Sequence, residues 1–113
     1  MKKYIAIFRE PDGRTKPHSE DETRRHQLNW KSWFEKWGKA GRIIDGSGLT
    51  LNGRIIFSGD NIQDKIHHSG LEIIGGFLVF KAEDLNDATD MMKTCPVYEF
   101  DGYTEIRELQ NQE

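Results

Sequence analysis

Gly75-Gly76-Phe77-Leu78-Val79-Phe80-Lys81 is the stretch on which the fold turns. Successive side chains of a strand point to opposite faces, so Phe77 and Val79 face one way and Leu78 and Phe80 the other. All four are apolar. Tyr4-Ile5-Ala6-Ile7-Phe8 repeats the arrangement, with Tyr4, Ala6 and Phe8 alternating against Ile5 and Ile7. A sheet apolar on both faces needs both of them covered. The paired glycines inside a strand mark a bulge or a close backbone approach.

Working outward, Leu71–Lys81 is a long strand and Lys3–Arg9 a first one, rich in β-branched and aromatic residues. A polar loop, Glu10 to His18, carries two prolines and a glycine. Ser19-Glu20-Asp21-Glu22 has the capping-box pattern, and its acids suit the helix dipole. The helix it opens runs to about Ala40, with Gly41 as its cap. Trp30, Trp33, Phe34, Trp37 and Ala40 form an apolar stripe at helical spacing.

Asn52-Gly53, between Leu49-Thr50-Leu51 and Arg54-Ile55-Ile56-Phe57, is a hairpin signal, because a type I′ turn needs positive φ at both central residues. Asp60 to Ser69 reads as a polar loop. Asp84 caps a second helix with Leu85, Ala88, Met91 and Met92 inward, stopped at Cys95-Pro96. Tyr103–Leu109 is a last strand. The order is a ferredoxin-like β-α-β-β-α-β sandwich of the α+β class with an inserted hairpin, one domain over residues 1–113. Its helices cover one sheet face. The other apolar face predicts a homodimer with the open faces packed together.

Composition excludes several classes. Three Trp, three Tyr and six Phe supply a core, so wholesale disorder is not expected. Residues 1–40 hold ten Lys/Arg against six Asp/Glu, whereas residues 41–113 hold six against thirteen. An acidic balance, with pI near 5.8, argues against nucleic acid, whose phosphates need a basic surface. Gly75–Phe80 faintly echoes an aromatic RNA-binding motif, but Ile74 stands where that motif has a basic residue. No apolar run approaches the ~18–20 residues of a membrane span. The lone Cys95 cannot form an internal disulfide, so a cytoplasmic protein is expected.

Gly75–Ala88, followed by Lys93-Thr94-Cys95-Pro96, resembles the YCII-related family, and within it the DGPF-type branch. The shared pattern is a Gly-Gly-aromatic strand, a short Ala-acid-x-Leu-x-x-Ala helix and a Cys-Pro stop. Gly102 to Leu109 is similar to the family's ending, and Met1–Phe8 and the tryptophan helix look similar too. From about Arg42 to Ser69 the match is poor. Of the namesake Asp-Gly-Pro-Phe motif only the aspartate stands, at Asp64 in Asp64-Lys65-Ile66-His67. The resemblance implies a dimeric α+β barrel and, for some members, small-molecule enzymes using a His–Asp pair.

His26 is the first candidate for chemistry. It precedes Trp30 by four residues and shares its helix face, and a histidine there suits proton transfer. The family's proposed catalytic histidine lies near the start of this helix, and His26 matches it. The competing reading is a half-buried histidine bonded to a backbone carbonyl. Asp45, after Arg42-Ile43-Ile44, is the expected carboxylate partner, unless Asp45-Gly46 is turn chemistry alone. Asp64 is a second carboxylate candidate. The expected pocket lies between sheet and first helix, lined by Tyr4, Phe8, Trp30 and Asp64, with Lys16, Arg14, Arg24 and Arg25 able to draw in an anion.

His67-His68 point to opposite faces if extended, and His18 lies in a loop, so no metal or cofactor is expected. Cys95 is a poor nucleophile at a helix C-terminus. Three functions remain: a His-dependent lyase, isomerase or hydrolase, a non-catalytic ligand-binding or regulatory dimer, and a purely structural partner.

Overall fold

The computed structural model describes residues 1–113. Strand β1, Lys2–Glu10, leads through a loop to helix α1, Glu20–Lys39. Strand β2, Ile43–Gly48, is followed by a small hairpin of β3, Ile55–Ser58, and β4, Asn61–Gln63. Strand β5, Ile73–Ala82, helix α2, Leu85–Met92, a 3-10 helix, Pro96–Phe100, and strand β6, Tyr103–Glu108, complete the chain. The main sheet has the order β2-β5-β1-β6 with every pair antiparallel, the ferredoxin-like arrangement of an α+β sandwich.

Both helices pack on one face. Tyr4, Ala6, Phe8, Leu78, Phe80 and Ala82 meet Trp33, Ala88, Met91 and Met92 in a single buried cluster. Register explains the match: Tyr4 sits opposite Phe80 and Ala6 opposite Leu78, so large and small side chains interlock. The rings of Tyr4 and Phe80 stack at 5.9 Å. Arg42 ties the return from α1 to the second helix, donating to the Lys81 carbonyl at 2.7 Å and to Asp87 at 2.9 Å. On the other face Ile5, Ile7, Phe77 and Val79 remain half-buried.

The glycine pair serves both purposes expected of it. Pairing slips between Phe8, opposite Gly76, and Arg9, opposite Ile74, so Gly75 is the extra residue of a bulge. A side chain at Gly75 would collide with the Glu10 carboxylate, and one at Gly76 would lie 2.9 Å from the Ser47 carbonyl.

Three local expectations are corrected. Asn52-Gly53 is not a hairpin turn. The Leu49 amide donates to the Gly75 carbonyl at 2.8 Å, so residue 49 stays bound to β5 rather than folding back on residues 54–57. The hairpin turns instead at Gly59-Asp60, and β4 lies inside the stretch expected to be loop. Leu85 is 55% exposed: it is the first residue of α2, whose buried face is Ala88, Met91 and Met92. The β3–β4 arm has no helix above it, and Ile56, Phe57 and Ile62 are exposed. No helix is long and apolar enough to cross a membrane.

Candidate functional site

A cleft of about 450 Å³ opens between α1, the loop after β1 and the bulged end of the sheet. The capping box sets the start of α1. The Ser19 hydroxyl accepts from the Glu22 amide at 3.1 Å, and the Glu22 carboxylate accepts from the Ser19 amide at 3.1 Å. These bonds hold the Glu22 carboxyl below the usual carboxylate range, the Ser19 amide foremost. With the first turn fixed, His26 and Trp30 emerge one turn apart on the face toward the sheet. Phe8, Trp30, Phe34 and Phe100 form the aromatic walls, and glycines 48, 75 and 76 leave backbone exposed to the space.

His26 is held at both ring nitrogens. Nδ1 lies 2.8 Å from Glu99 Oε1 on the 3-10 helix, and the Trp30 indole N–H donates to Nε2 at 3.0 Å. An ionised carboxylate only accepts and an indole only donates, so these partners assign the proton to Nδ1. The second Glu99 oxygen accepts from the Asn29 amide at 2.7 Å, which fixes the carboxylate on α1. The histidine side chain keeps 19% of its surface exposed, toward the cleft.

The Phe100 ring carries a second imidazole. His18 stacks on it at 3.7 Å and 10°, and His26 at 4.2 Å and 30°. Two near-parallel rings that close must lie on opposite faces, so Phe100 is sandwiched between them. His18 thereby anchors the loop that forms the cleft's outer wall. Within that loop, Asp12 accepts from the amides of Lys16 at 3.0 Å and Arg14 at 3.2 Å, which hold its carboxyl below the usual range, Lys16 foremost. Arg14 occupies the left-handed region at φ 65°, unusual outside glycine. Its guanidinium grips both Glu10 oxygens at 3.0 Å and reaches the Gly75 carbonyl at 3.2 Å. Arg14 and Glu10 thus neutralise each other across the bulge.

The residues singled out from sequence separate. His26, Phe8 and Trp30 line the cleft, and so do Lys16 and Arg14. Tyr4 does not: it is 2% exposed, in the core against Phe80. Asp45 does not meet His26. It pairs with Val79 on the sheet's open face, and its carboxylate accepts only from the Gly46 amide at 2.8 Å. The adjacent Gly46, not Asp45, points toward α1, as a Cβ there would touch Leu78. Asp64 lies in the segment around the arm, bonded to Arg54 at 3.1 Å, and takes no part in the lining. Sequence reasoning missed Glu99 and Phe100, whose only signal was an acid and an aromatic just past the Cys-Pro stop. His18 reads from the sequence only as a loop residue, and its stacking on Phe100 was missed with them.

No three His, Cys, Asp or Glu side chains converge in a metal-holding cluster. Cys95 is buried, and burial pushes its thiol pKa up, which disfavours the thiolate.

No family model matches the chain, and no curated protein matches it by sequence. A solved structure does match: 5-chloro-2-hydroxyhydroquinone dehydrochlorinase (TftG) from Burkholderia phenoliruptrix AC1100, in complex with 2,5-dihydroxybenzoquinone. The similarity covers 95% of this chain and 93% of that one, with a TM-score of 0.54 at 16% identity. At that identity the two proteins share a fold, and that α+β fold extends over nearly the whole of each chain.

Proposed function

We propose that the chain binds a small planar molecule in the α1 cleft and that His26, oriented by Glu99, transfers a proton to or from it. The observation that carries this reading is the 2.8 Å contact between His26 Nδ1 and Glu99 within an aromatic-walled cleft. A carboxylate behind an imidazole fixes the tautomer and stabilises the imidazolium formed when the ring takes a proton. Flat aromatic walls favour a flat ligand, and the complex of TftG with 2,5-dihydroxybenzoquinone supports a ring of that kind. The reaction class is a lyase or isomerase step begun by proton abstraction, in a protein of the YCII-related family, DGPF-type branch. The single, buried Cys95 supports a reducing, cytoplasmic setting.

The working unit is a homodimer joined through the open sheet face. Ile5, Ile7, Phe77 and Val79 form its apolar centre. Lys3, Lys81 and Arg107 lie at one end, and Glu72 and Glu105 flank Arg9 at the other. A two-fold axis lying between the packed faces and perpendicular to the strands sets unlike ends together.

The test is a panel of hydroxylated, keto and halogenated ring compounds, followed by melting shift and by turnover. Wild type is expected to convert at least one compound that stabilises it. His26→Gln is expected to lower kcat by 10²-fold or more, on the order of a general base's contribution, with binding retained. Stabilisation without turnover by wild type favours the non-catalytic ligand-binding dimer instead. Equal turnover by His26→Gln removes His26 from the chemistry.

A further inference from the structure

The bond from the Trp30 indole to His26 limits what the cleft can accept. An imidazole has two in-plane positions, and both are filled here: Nδ1–H toward Glu99 and the Nε2 lone pair by the indole N–H at 3.0 Å. Both groups sit on α1 four residues apart, so the capping contact is built into one helix and does not depend on the sheet. The Trp30 ring is otherwise held by aromatic contacts alone, edge-on to Phe8 at 5.3 Å and stacked on Phe34 at 5.4 Å. Such contacts tolerate a ring shift more readily than a directed hydrogen bond does.

We propose that Trp30 is a self-cap on His26 and a specificity residue: the cleft admits ligands whose own O–H or N–H replaces the indole N–H on Nε2. This rests on the reading of the cleft as a small-molecule site and adds which ring compounds it selects. In the tautomer fixed by Glu99, Nε2 only accepts. A phenolic or enolic hydroxyl can take the indole's place. An ether, a ketone or a carboxylate offers only lone pairs and leaves two acceptors facing each other.

The step that follows is balanced within the site. The ligand O–H bond breaks, its electron pair stays on oxygen, and the proton bonds Nε2. The resulting imidazolium lies between the ligand oxyanion and Glu99. In that state Nε2–H is itself a donor, so the indole N–H cannot return until the proton leaves. Trp30 therefore separates the resting site from the loaded one.

The probes are hydroquinone, 1,4-dimethoxybenzene and benzoate, which share a ring and differ in whether it carries a donor. Binding is followed on ¹⁵N-labelled protein through the Trp30 indole resonance and the Gly48 and Gly76 amides. Hydroquinone is expected to move all three signals and to bind about tenfold tighter than either other probe, the size of one hydrogen bond won or lost. Trp30→Phe is expected to tighten hydroquinone binding several-fold by removing the competing donor, and His26→Phe to abolish the preference among probes. Equal affinity for the three probes, or hydroquinone binding with the Trp30 indole signal unmoved, overturns the cap while leaving the cleft a ligand site. Silence of the Gly48 and Gly76 amides toward all three probes overturns the small-molecule reading and the cap with it.

Discussion

Phe80 and Val79 are neighbours in one strand and differ in almost everything that follows from side. Phe80 is wholly buried beneath the helices, together with Leu78. Val79, opposite Ile5 and Asp45, stays half-buried on the face that no helix covers. Hydropathy alone makes the two positions equal. What separates them is the side on which the crossovers place α1 and α2. The helix-covered face is closed by its own chain and carries the cleft at one end. The open face keeps an apolar centre that the chain itself does not use.

Substitution can break this contrast at its strongest point. Phe80→Ala leaves a cavity under both helices and is expected to cost about 3–5 kcal/mol in denaturant unfolding. A loss below about 1 kcal/mol would mean that the helices do not seal this face.

Ser19→Ala tests how firmly the covering helix is anchored, and an expected loss of about 1 kcal/mol follows from removing the cap. The capping box also carries a pH signature. The Glu22 carboxyl is held below its unfolded range, so its stabilising contribution is present above that range and is lost as pH falls through the folded value. The stability gap between Glu22→Ala, which removes the carboxylate itself, and wild type is therefore expected to narrow in acid, read from unfolding curves at pH 7 and pH 3.

Val79→Lys sharpens the contrast from the other side. The new cation can reach Asp45 across the β2–β5 pair and extend into solvent, so the folded subunit is expected to change by about 0.5 kcal/mol or less. Light scattering should instead show the mass halved, because two lysines would be buried at the centre of the packed faces. A dimer that survives Val79→Lys places the interface elsewhere.

Sequence patterning made the body of the fold legible and the arm and half of the site illegible, for different reasons. Strands β1 and β5 and helix α1 declare themselves by periodicity over long stretches, and Ser19–Glu22 by a local bond pattern that depends on nothing distant. The Asn52-Gly53 signal failed because a turn preference is worth little against a tertiary bond, here from the Leu49 amide to the bulged Gly75. Glu99 could not be paired with His26 from sequence. The two are 73 residues apart, and their meeting depends on a 3-10 helix that no periodicity announces. Asp45 had the right chemistry and lies one residue out of phase, since the neighbouring Gly46 takes the α1 side of the strand.

Phase is also what the bulge at Gly75 controls. Counting back from Leu78 by twos reaches Gly76 and then Ile74, yet Ile74 is 44% exposed and Ile73 is the buried residue. The extra residue shifts the strand's count by one, so everything before it in β5 presents the opposite side. A chain shortened by that single glycine would be expected to restore regular pairing with Ile73 still in the core and Ile74 outside, because the two isoleucines already stand in the phase of a strand without the extra residue. It would remove the Gly75 carbonyl on which Arg14 and the cleft's outer loop are fastened. Chain length at this one position acts as a setting for the whole cleft, and a homologue lacking the residue would be expected to carry a differently shaped site on the same fold.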